Sequence, residues 1–134
     1  METVAITPQV KAAIEAHALE TRPAECCGLL AGDDHVITSL YRLRNESDRP
    51  ETRYFAAPED LFSAMQEIRQ RGQTMKGIYH SHPNSPAYPS ESDVNLAFYT
   101  DSIYFIVSLS AGIETRAFRI DNEGITAVEI LIAD

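Results

Sequence analysis

Residues 77–93, GIYHSHPNSPAYPSESD, join the end of an apolar strand pattern to four polar side chains that are common in reactive sites. His80 and His82 are two residues apart, so on a β-strand both point to one face, with α-carbons about 6–7 Å apart. The proline that follows ends the strand, and a helix is expected to begin near Ser90. Asp93 then lies in the first turn of that helix and can face back toward the histidines. This stretch therefore predicts a strand, a loop and a helix that bring two imidazoles and a carboxylate together.

Two histidines and one aspartate are a ligand set that favours a divalent metal ion, and zinc in particular. Three protein ligands leave the fourth tetrahedral position open, as in catalytic rather than structural zinc sites. The alternative is that Ser90 and Asp93 only form a capping box at a helix N-terminus. A polar histidine pair at a strand end has no packing role, and this favours the metal site.

Hydrolysis at such a site requires further groups. A carboxylate must take and return protons. Glu91 is closest in sequence to the histidines, whereas Glu25 stands at the mouth of a buried strand, where its pKa would be raised. The spacing leaves the choice between these two glutamates open. Ser90 can cap the helix and also donate its hydroxyl to an oxygen that becomes negative during attack.

Outward from this stretch, the pattern predicts one α/β (α+β) sheet with helices packed against it. Strands are expected at 26–32, 35–45, 52–57, 74–82, 102–110, 113–120 and 125–132, and helices after Thr7, after Pro58 and from Ser90 to about Tyr99. In the second helix, Leu61, Phe62, Met65 and Ile68 form a stripe that predicts core packing. His17, in the first helix, is expected at the surface or the edge of the core.

The chain has 134 residues, which predicts one domain over residues 1–134. The net charge of −9 opposes non-specific binding to nucleic acid. No apolar run is long enough to span a membrane, and the first ten residues lack the pattern of a signal peptide. Cys26 and Cys27 are adjacent, which disfavours a disulfide and indicates buried, reduced thiols. We therefore expect a cytoplasmic protein.

The spacing of His80, His82, Ser90 and Asp93 resembles the JAMM motif of the MPN-domain (JAB1/MPN/Mov34) metalloproteases. The segment PAECCGLLAG, which contains Glu25, is similar to the first motif of that family. The resemblance covers nearly the whole chain. It implies a cytidine-deaminase-like fold, in which about three helices pack on a curved, mixed and mostly antiparallel sheet. It also implies that His80, His82 and Asp93 ligate zinc, that Glu25 is the general acid/base, and that Ser90 stabilises the oxyanion.

The chain is most similar to the compact prokaryotic members of that family. This resemblance implies a zinc metallopeptidase that hydrolyses the bond after the C-terminal glycine of a ubiquitin-like or sulfur-carrier protein and can release cysteine. The expected partner is such a protein with a Gly-Gly tail, and neither nucleic acid nor a membrane is expected as a partner. Two alternatives are a non-catalytic zinc-containing MPN scaffold and a RadC-like protein associated with DNA repair. The acidic net charge argues against the second alternative.

Overall fold

A computed structural model describes residues 1–134 as seven strands and three helices. The strands close into one barrel in the order β1-β3-β2-β4-β5-β6-β7. Neighbouring strands are antiparallel except for β1 with β3, β1 with β7, and β4 with β5, so the predicted mixed, mostly antiparallel sheet is confirmed. The elements are β1 (Thr3–Ile6), α1 (Pro8–Thr21), β2 (Cys27–Gly32), β3 (Ile37–Leu43), α2 (Pro58–Gln70), β4 (Thr74–His82), α3 (Glu91–Asn95), β5 (Ile103–Ser108), β6 (Glu114–Asp121) and β7 (Gly124–Ile132).

Both faces of the central strands are covered, which explains why β2 and β5 are buried throughout and mostly apolar instead of alternating. Residues of α1 pack on one face with Cys26, Tyr79 and Phe105. Residues of α2 pack on the other face with Cys27 and Ile78. The side chains of β4 therefore alternate between two buried environments, and this alternation sends His80 and His82 to the face that α2 covers.

Local sequence signals set the helix ends. Thr7 caps α1, because its Oγ1 accepts a hydrogen bond of 3.2 Å from Val10 N, and proline follows at the first helical position. Proline also begins α2, and Gly72, with a φ of 68°, follows the end of that helix. Gly28 admits the ring of Tyr79, since a Cβ on that glycine would lie 2.2 Å from the ring. No helix is long and apolar enough to cross a membrane.

Several local predictions were wrong. Residues 52–57 form a loop with one isolated bridge between Asn45 and Ala56, and the seventh strand is instead β1 at the N-terminus. Helix α3 ends at Asn95 rather than near residue 99. In α2, Ile68 is buried as expected, but Phe62 is 64% exposed, because its position in the helix turns it away from the sheet. β1 pairs with β3 and with β7, and such contacts between distant segments leave no trace in local propensity.

Candidate metal centre

Three side chains meet where β4 ends and α3 begins. His80 Nε2 lies 3.1 Å from His82 Nε2, and Asp93 Oδ2 lies 3.1 Å from the first nitrogen and 3.0 Å from the second. Both histidines are buried, with 1% and 3% of their surface exposed. The structure thus brings together the three residues that the sequence analysis selected as ligands, in a group that could hold a metal ion.

The second ring nitrogen of each histidine has a different environment. His82 Nδ1 lies 2.8 Å from the carbonyl oxygen of Pro86. A carbonyl can only accept, so Nδ1 carries a hydrogen; whenever the ring is neutral, Nε2 is then the atom that presents a lone pair to the cluster. His80 Nδ1 is buried and has no hydrogen-bond partner. The ring of Tyr54 instead stacks on His80 at a centroid distance of 4.6 Å and an interplanar angle of 27°.

The electrostatics of the cluster favour a bound cation. Burial raises the pKa of Asp93, but its hydrogen bonds with His80 and His82 lower it by more, so the carboxyl is ionised. Burial lowers the pKa of His80 below its ordinary value, against the opposing effect of Asp93. Burial opposes the charged form of His82, but its hydrogen bonds with Asp93 and Pro86 O raise its pKa above the ordinary value, which favours a hydrogen between His82 Nε2 and the Asp93 carboxylate. A bound cation would replace that hydrogen among three atoms that lie within 3.1 Å of one another.

Glu25 lies beside this cluster because of strand register. β2 and β4 pair with Cys27 opposite His80, and the ladder continues one residue further, where Ser81 N donates to Cys26 O. Glu25 precedes Cys26 in the chain, so the same register places it opposite His82 and on the same face as the histidines. Ser81 fixes this approach, since its Oγ accepts a hydrogen bond of 2.8 Å from Cys26 N.

The carboxyl group of Glu25 is enclosed, and one of its oxygens has no hydrogen-bond partner. The residue is 4% exposed, and its Oε1 has no hydrogen-bond partner. Burial raises the pKa of Glu25 to about 8, although the nearby His82 lowers it. Glu91 is exposed on α3. Of the two glutamates that the sequence left open, only Glu25 is enclosed beside the candidate ligands.

Ser90 and Asp93 form a capping box at the start of α3. Asp93 N donates to Ser90 Oγ at 3.1 Å, and Ser90 N donates to Asp93 Oδ2 at 2.8 Å. The carboxylate oxygen that meets the histidines therefore also accepts from the helix N-terminus. The Ser90 hydroxyl accepts in this cap, so its own hydrogen remains available to a ligand. The capping and metal-site interpretations of this pair are compatible.

An apolar groove of about 260 Å³ adjoins the cluster and shares Tyr54 with it. Its floor includes Ile78, which points to the same face of β4 as His80. Its rim carries Phe55 and Phe98, which are 57% and 75% exposed. Aromatic side chains exposed in one place are typical of surfaces that bind a partner.

Tyr54, Asn45 and Ser81 also lie around the cluster and were not predicted from the sequence. Tyr54 and Asn45 come to the site through a loop whose contacts lie far apart in the chain, and no local pattern marks them. Ser81 had a detectable signal, because a serine between two residues that face the same side of a strand must point into the opposite, apolar layer. A hydroxyl there needs a partner, and it finds one in Cys26 N.

The chain belongs to the Prok-JAB family, the prokaryotic homologs of the JAB domain, which matches residues 7–121. This confirms the family and the fold class expected from the JAMM-like spacing.

The chain is similar to the desampylase of Haloferax volcanii, with 36% identity over 88 residues, 64% of this chain and 63% of the desampylase. The chain therefore matches less than two thirds of the desampylase's length. The CysO-cysteine peptidase of Mycobacterium tuberculosis is 29% identical over 125 residues, 91% of this chain and 86% of that one. A solution structure of a protein from Desulfitobacterium hafniense has a TM-score of 0.90 at 31% identity, covering 98% of this chain and 94% of that one.

Proposed function

We propose that this protein is a zinc-dependent peptidase that hydrolyses the bond after the C-terminal glycine of a ubiquitin-like or sulfur-carrier protein. The observation that carries this proposal is the buried, unpartnered carboxyl of Glu25 beside the converging atoms of His80, His82 and Asp93. The names of the relatives, a desampylase and a CysO-cysteine peptidase, support hydrolysis of such conjugates.

Zinc fits the three candidate ligands. Bonds of about 2.05 Å from zinc to nitrogen or oxygen imply separations of about 3.3 Å between the ligand atoms of a tetrahedron. The separations of 3.0–3.1 Å among His80 Nε2, His82 Nε2 and Asp93 Oδ2 are close to that length. When bound, zinc supplies a Lewis acid that polarises the scissile carbonyl and lowers the pKa of water.

The remaining steps belong to the side chains. Glu25 takes a proton from the attacking water and transfers it to the departing amine. Its enclosure keeps the pKa near the working pH, which is the condition for a group that must both accept and donate. The free hydrogen of the Ser90 hydroxyl is donated to the carbonyl oxygen as negative charge develops there. The hydrogen bond from Asp93 N holds that hydroxyl in place.

An unpartnered buried carboxyl also argues against a non-catalytic scaffold. A buried polar atom without a partner costs about 1–3 kcal/mol of stability, and a scaffold gains nothing from that cost. A catalytic base does gain, because the same enclosure tunes its pKa. Glu25 is therefore better explained by an enzyme than by a binding module.

The shape of the site favours a glycine tail. The candidate ligands are almost completely enclosed, so a substrate residue with a bulky side chain would collide with them. The apolar groove beside Tyr54 then receives the extended part of the tail that precedes the glycines. We also propose that residues 1–134 act as one domain in the cytoplasm, where the free thiols of Cys26 and Cys27 stay reduced.

The proposal is tested by mass spectrometry of a sulfur-carrier protein that ends in Gly-Gly-Cys. The carrier is incubated with zinc-loaded wild type and with Glu25→Gln, and a second reaction uses the same carrier joined through its terminal glycine to a lysine side chain. We expect wild type to release cysteine from the first carrier or the lysine from the second carrier. Glu25→Gln should release neither product.

A third carrier, with valine in place of the terminal glycine, is the control for the tail. It should remain intact, because the enclosed site excludes its side chain. Cleavage of the valine carrier at the glycine rate would refute the fit of the tail. Equal cleavage by Glu25→Gln would refute the role of Glu25, and no cleavage of any conjugate by zinc-loaded wild type would refute the peptidase.

A further inference from the structure

The two candidate histidine ligands are held in place by different means. His82 is fixed by the hydrogen bond between its Nδ1 and Pro86 O. Histidines that ligate metals almost always have such a partner, which sets the ring orientation. His80 Nδ1 has none, although His80 is 1% exposed. A hydrogen bond therefore does not fix the rotation of the His80 ring about its Cβ–Cγ bond.

The ring of Tyr54 lies where it can replace that hydrogen bond. It stacks nearly parallel to His80, at 4.6 Å and 27°, while His82 packs edge-on at 4.9 Å. Tyr54 therefore contacts the face of the His80 ring, and His82 makes a T-shaped contact with the same ring. A ring rotation that moved Nε2 away from the cluster would have to break the stack with Tyr54.

The backbone around Tyr54 is itself tied down by one side chain, that of Asn45. Its Nδ2 donates to Arg53 O at 3.0 Å, and its Oδ1 accepts from Phe55 N at 2.9 Å, so the amide bridges the two residues that flank Tyr54. The same Nδ2 donates to Glu25 O at 3.0 Å. One amide thus joins the loop that carries the stacked ring to the strand end that carries the proposed base.

We propose that Tyr54 is a positioning residue that holds His80 in its metal-ligating orientation by ring stacking, in place of a hydrogen bond to Nδ1. Asn45 fixes the loop so that the ring cannot swing away. Tyr54 also forms a wall of the apolar groove, so the same ring separates the candidate ligands from the space that receives the substrate tail. This inference rests on the metal site of the proposed function but not on its substrate.

The test compares Tyr54→Phe with Tyr54→Leu. Phenylalanine keeps the stacked ring, whereas leucine keeps apolar volume without a planar face. Zinc dissociation constants are measured by competition with a chelating dye, and the cobalt-substituted proteins are examined by visible absorption, which reports the geometry of the ligands. We expect the dissociation constant to rise about 10-fold or more in Tyr54→Leu, with altered cobalt bands, and to stay within about twofold of wild type in Tyr54→Phe.

Tyr41→Leu is the matched control. Like Tyr54, Tyr41 is a partly buried tyrosine that packs against the core on the α2 face, and its hydroxyl donates a hydrogen bond to Gln73 Oε1. Tyr41→Leu should lower the melting temperature without changing zinc affinity or the cobalt bands. Tyr54→Leu with wild-type zinc affinity and cobalt bands would overturn the proposal, as would an equal loss in Tyr54→Phe. These readouts use no substrate, so they fail separately from the peptidase proposal, which the carrier assays decide.

Discussion

Buried histidines lie on both faces of β4, His17 of α1 on one face and His80 and His82 on the other. The two faces differ in whether their polar atoms have hydrogen-bond partners. On the α1 face, His17 Nδ1 lies 2.6 Å from Tyr79 Oη, and Ser81 Oγ accepts from Cys26 N at 2.8 Å. On the α2 face, His80 Nδ1 and Glu25 Oε1 have no partner. Next to β4, the polar groups of the first face are paired within the chain, whereas two polar atoms of the second face are not; the third buried atom without a partner, Thr115 Oγ1, lies away from β4 on β6.

The difference separates a structural histidine from a candidate metal ligand in this fold. His17 is 8% exposed and His80 is 1% exposed, so burial does not separate them. The neighbours do separate them. His17 has a neutral hydroxyl partner, whereas His80 and His82 share the carboxylate of Asp93. Charge and unsatisfied atoms, rather than depth, mark the site.

The largest expected effect comes from removing a candidate ligand on the α2 face. His82→Ala should weaken zinc binding by more than about 100-fold. Losing the hydrogen-bond partner of a metal ligand costs about 10–100-fold in affinity, and losing the ligand itself should cost more. Activity should fall with it. Equilibrium dialysis with metal analysis measures the affinity. His17→Ala is the matched change on the other face and should bind zinc as wild type does; a zinc loss in both variants would remove the contrast between the faces.

Glu25→Gln should separate chemistry from metal binding. The rate is expected to fall by about 10²–10⁴-fold, since the amide cannot carry the proton, while zinc affinity is unchanged. The metal-free variant should also be more stable than metal-free wild type at neutral pH. The pKa of Glu25 is raised to about 8, so the folded state binds more protons than the unfolded state, and wild-type stability falls as pH rises from about 4.5 to 8.

Urea unfolding of the two chelated proteins at pH 5 and pH 8 measures this difference. The stability gap between Glu25→Gln and wild type should widen at the higher pH. A constant gap would show that the carboxyl is not protonated in the fold, and the enclosed-base interpretation would fail even if the rate loss were observed.

Ser90→Ala should have a smaller effect on the rate, about 10²–10³-fold, through loss of the hydrogen bond to the developing oxyanion. It should also cost about 1 kcal/mol of stability, because Asp93 N loses its capping acceptor. Steady-state kinetics on the cleaved conjugate and thermal unfolding measure the two effects. Ser90→Thr keeps both the cap and the hydroxyl, and should recover most of both. A wild-type rate in Ser90→Ala would leave capping as its only role.

The smallest effect is expected on the structural face and depends on pH. Burial lowers the pKa of His17 to about 4, with a further lowering by Arg42, so the unfolded chain binds the proton first as pH falls below about 6.5. This contribution to stability is complete above pH 6.5 and is lost as pH falls toward 4. His17→Gln should therefore lose less stability than wild type between pH 7.5 and pH 5 in chelated protein.

Urea unfolding at the two pH values is the measurement, and His35→Gln, which changes an exposed histidine, is the control. The control should follow the wild-type decline. If His17→Gln declines as steeply as wild type, the interior pair does not exclude the proton, and the two faces of β4 are less different than their hydrogen bonds indicate.

The parts of the site that are local in sequence could be predicted. Three side chains of the site lie within fourteen residues, and local patterns predict their positions. His80 and His82 have the i, i+2 spacing of one strand face, and Asp93 lies in the first turn of a capped helix. The parts that depend on strand register or on a long loop could not. Spacing left Glu25 and Glu91 open and only the family resemblance implied Glu25, whose position opposite His82 follows from the pairing of Cys27 with His80. Finding Tyr54 needed the hydrogen bonds of Asn45 to a segment that was expected to be a strand.

The same distinction explains the errors in the fold. A helix pattern has an apolar stripe about 100° wide, and Phe62 lies at its edge, where tertiary packing decides which side chain is covered. β1 has only four residues, and its partners are β3 and β7, the last strand of the chain. Only closure of the barrel gives so short a segment its hydrogen bonds, and closure is a property of the whole chain.

Asp93 has two roles, and together they couple the candidate metal centre to the apolar groove. Its Oδ2 is both a candidate ligand atom and the acceptor for Ser90 N, so the five-residue helix α3 and the metal centre share an atom. The segment that follows α3 supplies Leu96 and Phe98 to the apolar groove. Metal binding and the position of α3 are therefore linked through this shared atom, and linkage is reciprocal. Any ligand of the groove that stabilises this arrangement of α3 and the segment after it is expected to raise the affinity for the ion by the same factor.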